Sequence, residues 1–579
     1  MKRLVTAAAL LLLCVMAGAR AIRDEYGKPA APAPSAPAAK AAEKPAPAPA
    51  PAPDSLKGRY QGVFLVGNVM SPRDLGTERF DALKKHFDIL TAENAMKPLY
   101  LQREKGVFTF DEADRLVDAA LEAGLKVHGH TLAWHQQSPE WINREGIDRN
   151  EAVENLVDHA KTVAGHFRGR VVSWDALNEA VIDNPMNPQD WRASLRRVPW
   201  YSAIGEEYIA IVFRAAREAD PDAKLYYNDY NLDNRNKALA VYNMVKEINE
   251  KNPNVLGRPL IDGIGMQGHY RVGINLDNVA ASLKQFASLG VEVSVTELDV
   301  QAGAGNRLTP DQSLLQGVVY ARLFALFREN ANVLGRVTIW GLDDGTSWRS
   351  MTSPTLFDRD LKEKPAFFGA LNPAAFLAEN ESRLSALKRD PLQARARYGA
   401  PSLDAEDPLW RTADEIPINQ YTMAWQGASG TGRVLWDEQA LYALITVNDS
   451  EMNRANPLPH EQDSVEVFVD EGNHKAGYMQ GDDGQYRVNF ENEATFNPPS
   501  IAEGFESRAF ISVSGKAYAV TVKIPWKTIK PQEGAVIGFD LQINGASSRG
   551  MRQSVAVWND ITGNAWQDPS LYGLLRLIK

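Results

Sequence analysis

Two short segments of the sequence end an apolar run with a carboxylate. The segment "RVVSWDALNE" ends in Asn178 and Glu179, and "VEVSVTELD" carries Glu297 and, two residues later, Asp299. Both runs are rich in β-branched residues, as buried strands are, so each carboxylate stands where a strand stops. Two carboxyl groups that face one cleft can divide the work, since one protonates a leaving group and the other attacks or activates water. This division suits the cleavage of glycosidic bonds.

Other apolar runs of the same region also end in polar or aromatic residues. Eight such runs recur between Leu56 and Leu377, each followed by a stretch long enough for a helix. This alternation predicts a (β/α)8 barrel, with a doubly wound open sheet as the alternative. In a barrel the carboxyl ends of the strands converge on one face. Besides the two glutamates, the strand ends bring to this face Glu93, Asn94, His130, Trp134, Asn178, Asn228, Asp229, Gln267, His269, Asp299 and Trp340.

The mixture of side chains at these strand ends favours a glycosidase. Flat indoles suit the apolar faces of sugar rings, while amides, imidazoles and lysines suit the hydroxyl groups. A competing interpretation starts from His128 and His130, because H-x-H at a strand end is typical of barrel metal hydrolases. Asp343 or Asp344 could complete such a metal site. That interpretation leaves the paired glutamates and the tryptophans unexplained.

The region contains six motifs in a fixed order, namely "TAENAMK", "HGHTLAWH", "WDALNEA", "GMQGHY", "VTELD" and "IWGLDDGTSWR". Together they resemble family 10 glycoside hydrolases, the endo-β-1,4-xylanases, over Leu56 to about Leu377. The resemblance implies that Glu179 is the general acid/base and Glu297 the nucleophile of a retaining mechanism without a cofactor. The alternatives are an endo-β-1,4-glycanase with a cellulose or mixed preference, and a non-catalytic glycan-binding protein on the same scaffold.

The same resemblance implies a set of substrate contacts. Asn178 resembles the amide that bonds the sugar 2-hydroxyl, and His269 resembles the partner of the nucleophile, braced by Asp299. The other residues that resemble sugar contacts or aromatic walls are Glu93, Asn94, Lys97, His130, Trp134, Gln267, Trp340 and Trp348.

The chain changes character after the barrel region. Residues 380–400 form a charged, helix-prone connector, and residues 401–579 alternate apolar and polar residues, which predicts an antiparallel β-sandwich. The motifs "PINQY", "EQDSVEVFVDE" and "WNDITGNAWQDPSLYGLL" resemble family 9 carbohydrate-binding modules. The resemblance implies a glycan grip between tryptophans and structural calcium, for which Asp470 and Asp482 are candidate ligands.

Trp566 is the candidate sugar platform of this domain, because it follows "TGNA" in a predicted loop, with simple packing as the alternative. The tryptophan that the family usually has just before "EQDSVE" is missing here, where Leu458 and Pro459 stand instead. A sandwich of two indoles around the sugar is therefore not expected.

The N-terminal residues resemble export and spacer segments. Residues 1–21 combine Lys2 and Arg3 with a short apolar stretch and "ARA", which predicts a signal peptide and a secreted protein, with a short membrane anchor as the alternative. Residues 22–55 are rich in proline and alanine and predict an extended linker before a barrel domain over 56–379. The net charge of -10 argues against a nucleic-acid partner. We expect a monomer that binds xylan and xylo-oligosaccharides.

Overall fold

The computed structural model describes residues 54–183, 185–252, 257–303, 306–387, 390–422 and 427–579. The predicted signal peptide and residues 22–53 of the predicted linker lie outside the described residues. From Asp54 onward the described chain belongs to one compact unit that contains two large sheets. Within these ranges no helix has the length and apolar character needed to cross a membrane.

The first sheet closes into the predicted barrel. Neighbouring strands run parallel, and the pairing of β6 with β8 joins the ends of the sheet, which excludes the open doubly wound alternative. The short β7 follows β6 and pairs with the same strand, β8. The nine strands therefore occupy eight positions around the barrel. The strands are β1 Leu65–Met70, β2 Ile89–Ala92, β3 Lys126–Trp134, β4 Ser173–Asn178, β5 Lys224–Asp229, β6 Gly263–Met266, β7 His269–Arg271, β8 Glu292–Gln301 and β9 Leu334–Ile339.

Helices surround the barrel, and several of them begin at a side-chain cap that satisfies their first N–H groups. Asp148 caps α5 by accepting from the N–H groups of Asn150 and Glu151, and Asn234 and Asn275 cap α8 and α9 in the same way. The helices are α1 Leu56–Arg59, α2 Glu78–His86, α3 Pro98–Leu101, α4 Asp111–Glu122, α5 Arg149–His166, α6 Pro199–Ile204, α7 Glu207–Ala219, α8 Arg235–Lys251, α9 Leu276–Ala287, α10 Pro310–Glu329, α11 Pro365–Leu371, α12 Pro373–Glu379 and α13 Glu381–Leu387.

β3 and β4, two strands that carry residues of the site, pack closely against each other. Trp174 of β4 is fully buried, and a Cβ atom on Gly129 would lie 2.2 Å from its ring. Only glycine therefore fits at position 129. This contact fixes β3 against the strand that ends in Asn178.

The second sheet forms the predicted C-terminal β domain around its own apolar core. Its pairs are antiparallel except for β10, which lies parallel to both β13 and β22. This strand falls inside the segment predicted as a connector, where the charged residues hid the strand pattern. The strands are β10 Gln393–Tyr398, β11 Glu415–Ile418, β12 Gln420–Tyr421, β13 Ser429–Trp436, β14 Ala440–Asn448, β15 Ser464–Asp470, β16 Asp483–Asn489, β17 Ala494–Asn497, β18 Glu506–Ile511, β19 Ala517–Pro525, β20 Val536–Ala546, β21 Arg552–Val557 and β22 Gly573–Ile578.

Candidate active site

Glu179 lies immediately after β4 with its carboxyl group held by two donors. The indole Nε1 of Trp134 donates to one carboxyl oxygen at 2.8 Å, and the amide Nε2 of Gln267 donates to the other at 2.9 Å. Only 7% of the residue is exposed. The side chain therefore has a fixed position at the barrel mouth and little water around it.

The backbone of Glu179 is in the left-handed region, at a φ of 57°, which is unfavourable for a residue with a Cβ atom. Surrounding hydrogen bonds stabilise it there. The hydroxyl of Tyr227 accepts from the N–H groups of Ala180 and Val181 at 3.1 and 3.2 Å, and Arg196 Nε donates to the carbonyl of Glu179 at 3.0 Å.

Tyr227→Phe tests this backbone clamp. The substitution leaves the buried N–H group of Ala180 without its acceptor, whereas that of Val181 keeps Asp229 at 3.4 Å. We therefore expect the free energy of unfolding to fall by about 1–3 kcal/mol. We also expect kcat to fall because Glu179 loses its fixed position. Tyr60→Phe is the matched control, since its buried hydroxyl donates to the carbonyl of Ala370 away from the site. An equal kcat in both variants would contradict a positioning role for Tyr227.

The surroundings of Glu179 favour its protonated form. Burial raises the pKa of this carboxyl group most, and the negative charges of Asp229 and Glu297 raise it further. The hydrogen bonds from Gln267 and Trp134 oppose this shift but do not cancel it. A carboxylic acid that keeps its proton is what a general acid needs.

Asp229→Asn is expected to move the alkaline limb of the kcat/KM profile to lower pH. Removing the negative charge of Asp229 lowers the pKa of Glu179, so the acid loses its proton at a lower pH. Asp222→Asn, two residues before the start of β5, is the control and leaves the limb in place. The measurement is the pH profile of kcat/KM, and an unmoved limb in Asp229→Asn would refute the electrostatic role.

Glu297 of β8 receives hydrogen bonds on both carboxyl oxygens. Asn228 Nδ2 donates to one oxygen at 2.8 Å, and His269 Nε2 lies 3.2 Å from the other. The second ring nitrogen of His269 lies 2.9 Å from Asp299. Burial alone would lower the pKa of His269, but Asp299 and Glu297 raise it to about 9. The protonated ring therefore donates to both carboxyl groups and places a positive charge beside Glu297.

Asp299 is itself held by residues of the loop after β9. Trp348 Nε1 donates to it at 3.0 Å and Arg349 donates at 3.3 Å. Although burial opposes ionisation, His269 and Arg349 lower the pKa of Asp299. Trp348 keeps 56% of its surface exposed, so its indole remains open to a ligand.

An unbroken series of amide contacts joins the two glutamates. The side-chain amide oxygen Oδ1 of Asn178 accepts from Asn228 at 3.0 Å and from Gln267 at 3.3 Å. The same two amides donate to Glu297 and Glu179 respectively. Because each amide is oriented by its neighbours, the two carboxyl groups face one shared polar surface.

Residues after β2 and β3 form the other wall of the site. Lys97 Nζ donates to Asn94 at 3.0 Å and to Gln137 at 2.7 Å, and it lies 5.1 Å from the ring centre of Trp134. Burial lowers the pKa of Lys97, against the opposing charges of Glu297, Glu93 and Glu179. A small cavity beside this wall is lined by Glu93, Trp340 and Trp348.

His130 is oriented by a residue buried within β4. Its Nδ1 lies 2.8 Å from Asp175, and its ring centre lies 5.3 Å from that of Trp340. The neighbouring His128 lies against the other side of this network, since its Nδ1 contacts Ser173 at 2.7 Å and its Nε2 lies 2.9 Å from Arg336 and 3.1 Å from Asp175. Burial and Arg336 lower the pKa of His128 to about 4, so its ring is neutral.

Among the described residues, the side chains that could complete a metal hydrolase site already have hydrogen-bond or ion-pair partners. Asp343 accepts from Arg79 at 2.8 Å, and Asp344 pairs with Lys364 at 2.9 Å. His130, Asp175 and Glu297 do bring ligand atoms within 4.8 Å of one another. His130 and Asp175 bond each other, however, and Glu297 is held by donors, so the hydrogen bonds account for all three.

The family of the chain follows from a sequence comparison. The model of glycosyl hydrolase family 10 matches residues 55–373, more than half of the chain. The chain belongs to glycosyl hydrolase family 10. A second model, described as a carbohydrate family 9 binding domain-like domain, matches residues 404–579.

Relatives of this family 10 chain are named for xylan and glucan. It is 31% identical to the endo-1,4-beta-xylanase A of Thermoanaerobacterium saccharolyticum over 85% of its own length and 56% of the relative. It is 31% identical to the exoglucanase XynX of Acetivibrio thermocellus over 90% of its own length and 63% of the relative. The chain thus spans less than two thirds of the length of these relatives.

A solved structure shares the barrel. It is the intracellular xylanase of Thermoanaerobacterium saccharolyticum, with one glutamate changed to alanine and xylotetraose bound. It is 36% identical, covers 55% of this chain and 98% of its own, and has a TM-score of 0.51.

The structure brings together all the site residues that the sequence placed in the barrel, and it adds others. The sequence places Asn228 at the end of a strand but assigns it no role. The structure shows that it donates a hydrogen bond to Glu297. Asp175 and Tyr227 lie inside strands, where the sequence pattern gives no sign that their polar groups contact residues of the site. Arg196 and Arg349 come from loops, and no local sequence signal marked them. Trp566 lies away from these residues, half-buried beside Phe468 and Tyr572 of the sandwich.

Proposed function

We propose that the chain is a secreted, monomeric, retaining endo-β-1,4-xylanase that hydrolyses internal linkages of xylan by double displacement. The observation that carries this proposal is the unequal pair of glutamates. Glu179 is buried with its pKa raised, while Glu297 lies against the protonated ring of His269. The xylanases among its relatives and the xylotetraose in a related barrel support xylan as the substrate.

In the first step Glu297 attacks the anomeric carbon while Glu179 gives its proton to the glycosidic oxygen. The bond between the anomeric carbon and that oxygen breaks, and a glycosyl ester with Glu297 forms. His269 and Asn228 orient the attacking carboxylate through their hydrogen bonds. Trp134 and Gln267 hold the acid in place.

In the second step Glu179 acts as a base. The ester carries no negative charge on Glu297, so one of the causes that raised the pKa of Glu179 is gone. Glu179, now ionised, takes a proton from water, and the hydroxide oxygen attacks the anomeric carbon. The ester bond breaks, Glu297 leaves as a carboxylate, and the product has the starting configuration.

The sandwich is proposed to bind xylan as a carbohydrate-binding module, with Trp566 as a platform. The candidate calcium cluster does not fit that ion. Asp470, His474 and Asp482 bring ligand atoms within 4.8 Å, but His474 Nδ1 pairs with Asp482 at 2.9 Å. Asp470 accepts from the N–H groups of His474 and Lys475. Calcium prefers six to eight oxygens, so we propose none at this cluster.

Secretion is proposed from residues 1–21 alone, through their charged start, apolar stretch and "ARA". Expression with this segment in a bacterial host, followed by fractionation and N-terminal sequencing, tests it. We expect a protein outside the cytoplasm that starts after Ala21. An intact N-terminus in the membrane fraction would favour the anchor instead.

A reducing-sugar assay on glucuronoxylan, arabinoxylan and cellulose tests the activity and the substrate class. We expect release of xylo-oligosaccharides from both xylans, with a rapid fall in viscosity because internal linkages are cut. Proton NMR of the first products should show the β-anomer before mutarotation. No hydrolysis of any xylan would refute the proposal, and a higher kcat/KM on cellulose would favour the glucanase alternative.

A further inference from the structure

A cavity of about 180 Å³ lies between the barrel and the sandwich. Trp566, Tyr478 and Gln480 line it from the sandwich, and Met186 and Arg235 line it from the barrel. Met186 is 56% exposed and Tyr478 39%, so apolar side chains from both domains face solvent. Aromatic rings beside amide and guanidinium groups are a combination that binds sugars.

Direct contacts hold the two walls of this cavity at a fixed spacing. Asn278 and Asn275 of the barrel donate to the carbonyl of Gly477 at 2.8 and 3.3 Å. The guanidinium of Arg235 lies 4.2 Å from the ring centre of Tyr478. The sandwich therefore packs against the N-terminal ends of α8 and α9 of the barrel.

The cavity lies on a particular side of the barrel mouth. Met186 belongs to the loop after β4, the strand that ends just before Glu179, and Arg235 follows β5. Glu93 and Trp340, which resemble a sugar contact and an aromatic wall, follow β2 and β9 on either side of β1. Among the eight strand positions around the barrel, β5 lies opposite β1. A chain that enters between Glu93 and Trp340 and crosses the mouth thus leaves toward the cavity.

We propose that this cavity is a distal subsite for a β-1,4-linked xylose chain on its leaving-group side, built jointly by both domains. The inference rests on the proposed xylanase function and assigns the sandwich a place in the substrate path. A long chain bound at Glu179 reaches the cavity as an intramolecular event, which raises its affinity over that of a short chain.

One close contact between the domains allows a test that leaves the cavity lining intact. A Cβ atom on Gly273 would lie 2.2–2.6 Å from the side chain of Thr562. Gly273→Val therefore forces the barrel and the sandwich apart. Thr562→Gly removes the atoms in question, so the double variant should restore the spacing.

The experiment measures kcat/KM of the full chain for xylodecaose and xylotriose. For Trp566→Ala, Arg235→Ala and Gly273→Val we expect the ratio of the long to the short substrate to fall about tenfold, as for the loss of one well-packed aromatic contact. Gly273→Val/Thr562→Gly should recover the wild-type ratio. Tyr398→Ala, which removes an exposed sandwich aromatic outside the cavity, should leave it unchanged.

Each outcome separates this inference from the proposed function. A loss confined to Trp566→Ala would overturn the shared subsite, because the sandwich would then bind xylan by itself. An unchanged ratio in all three variants would show that no chain occupies the cavity. A wild-type chain inactive on both substrates would instead refute the xylanase proposal.

Discussion

Glu179→Ala is expected to lower kcat/KM on xylan by about 10³-fold, the usual contribution of a positioned general acid. The xylose alkoxide is a poor leaving group and departs slowly without a proton. An aryl xylobioside with an activated phenol leaves without that help, so the variant should still form the glycosyl ester on this substrate.

Azide then distinguishes a missing acid/base from a damaged fold. In Glu179→Ala the second step lacks its base, and azide, which needs none, should attack the ester and restore turnover. The product expected by NMR is the β-glycosyl azide. The wild-type enzyme with azide is the control. Unchanged xylan hydrolysis by Glu179→Ala would contradict the assignment.

Glu297→Ala is expected to lower turnover by at least about 10⁴-fold on every substrate, because no leaving group compensates for a missing nucleophile. Activated aryl xylobiosides should therefore be cleaved as poorly as xylan. Azide can occupy the space of the lost carboxylate and attack directly, which would give the α-glycosyl azide. Appreciable activity of Glu297→Ala on the aryl substrate would exclude the residue as the nucleophile.

A comparison of Glu179→Ala with Glu297→Ala tests whether the two glutamates have different roles. Both lose xylan hydrolysis, but one keeps the first step and the other does not, and the same anion gives opposite anomers. Thermal unfolding of both variants provides the control for folding. If the two azides had the same configuration, the roles of Glu179 and Glu297 could not differ as the geometry implies.

Much of the barrel could be predicted because the same sequence pattern is repeated at each strand. Each buried parallel strand is a short apolar run, and its last residues change character where the strand reaches the mouth. Glu93, Gln267 and Trp340 could be found in this way. The break between β6 and β7 could not, since Gln267 and Gly268 interrupt the strand without a change in the pattern.

The partners of the site were harder to predict than its main residues. Asp175 is buried within β4, and its contact with His130 depends on the register between β3 and β4. Tyr227 looks like a core aromatic until its hydroxyl is placed against the backbone after Glu179. Arg196 reaches Glu179 from a loop. These contacts depend on three-dimensional spacing, which periodicity does not encode.

The C-terminal domain shows the same limit. Alternation predicted its strands, but β10 was hidden by charged residues because most of its side chains are at least partly exposed although both of its edges are paired. Trp566 was identified as a platform from its loop, whereas its position beside Met186 and Arg235 depends on the packing of two domains. That packing gives the tryptophan a proposed role in the barrel's own substrate path.

The most direct test of the central claim is to trap the glycosyl ester. A 2-deoxy-2-fluoro xylobioside with a dinitrophenyl leaving group slows the second step, so the ester accumulates, and peptide mass spectrometry locates it. We expect a single label on the peptide that contains Glu297, and no label in Glu297→Ala. A label on Glu179 or any other residue, or hydrolysis without a covalent intermediate, would contradict that claim.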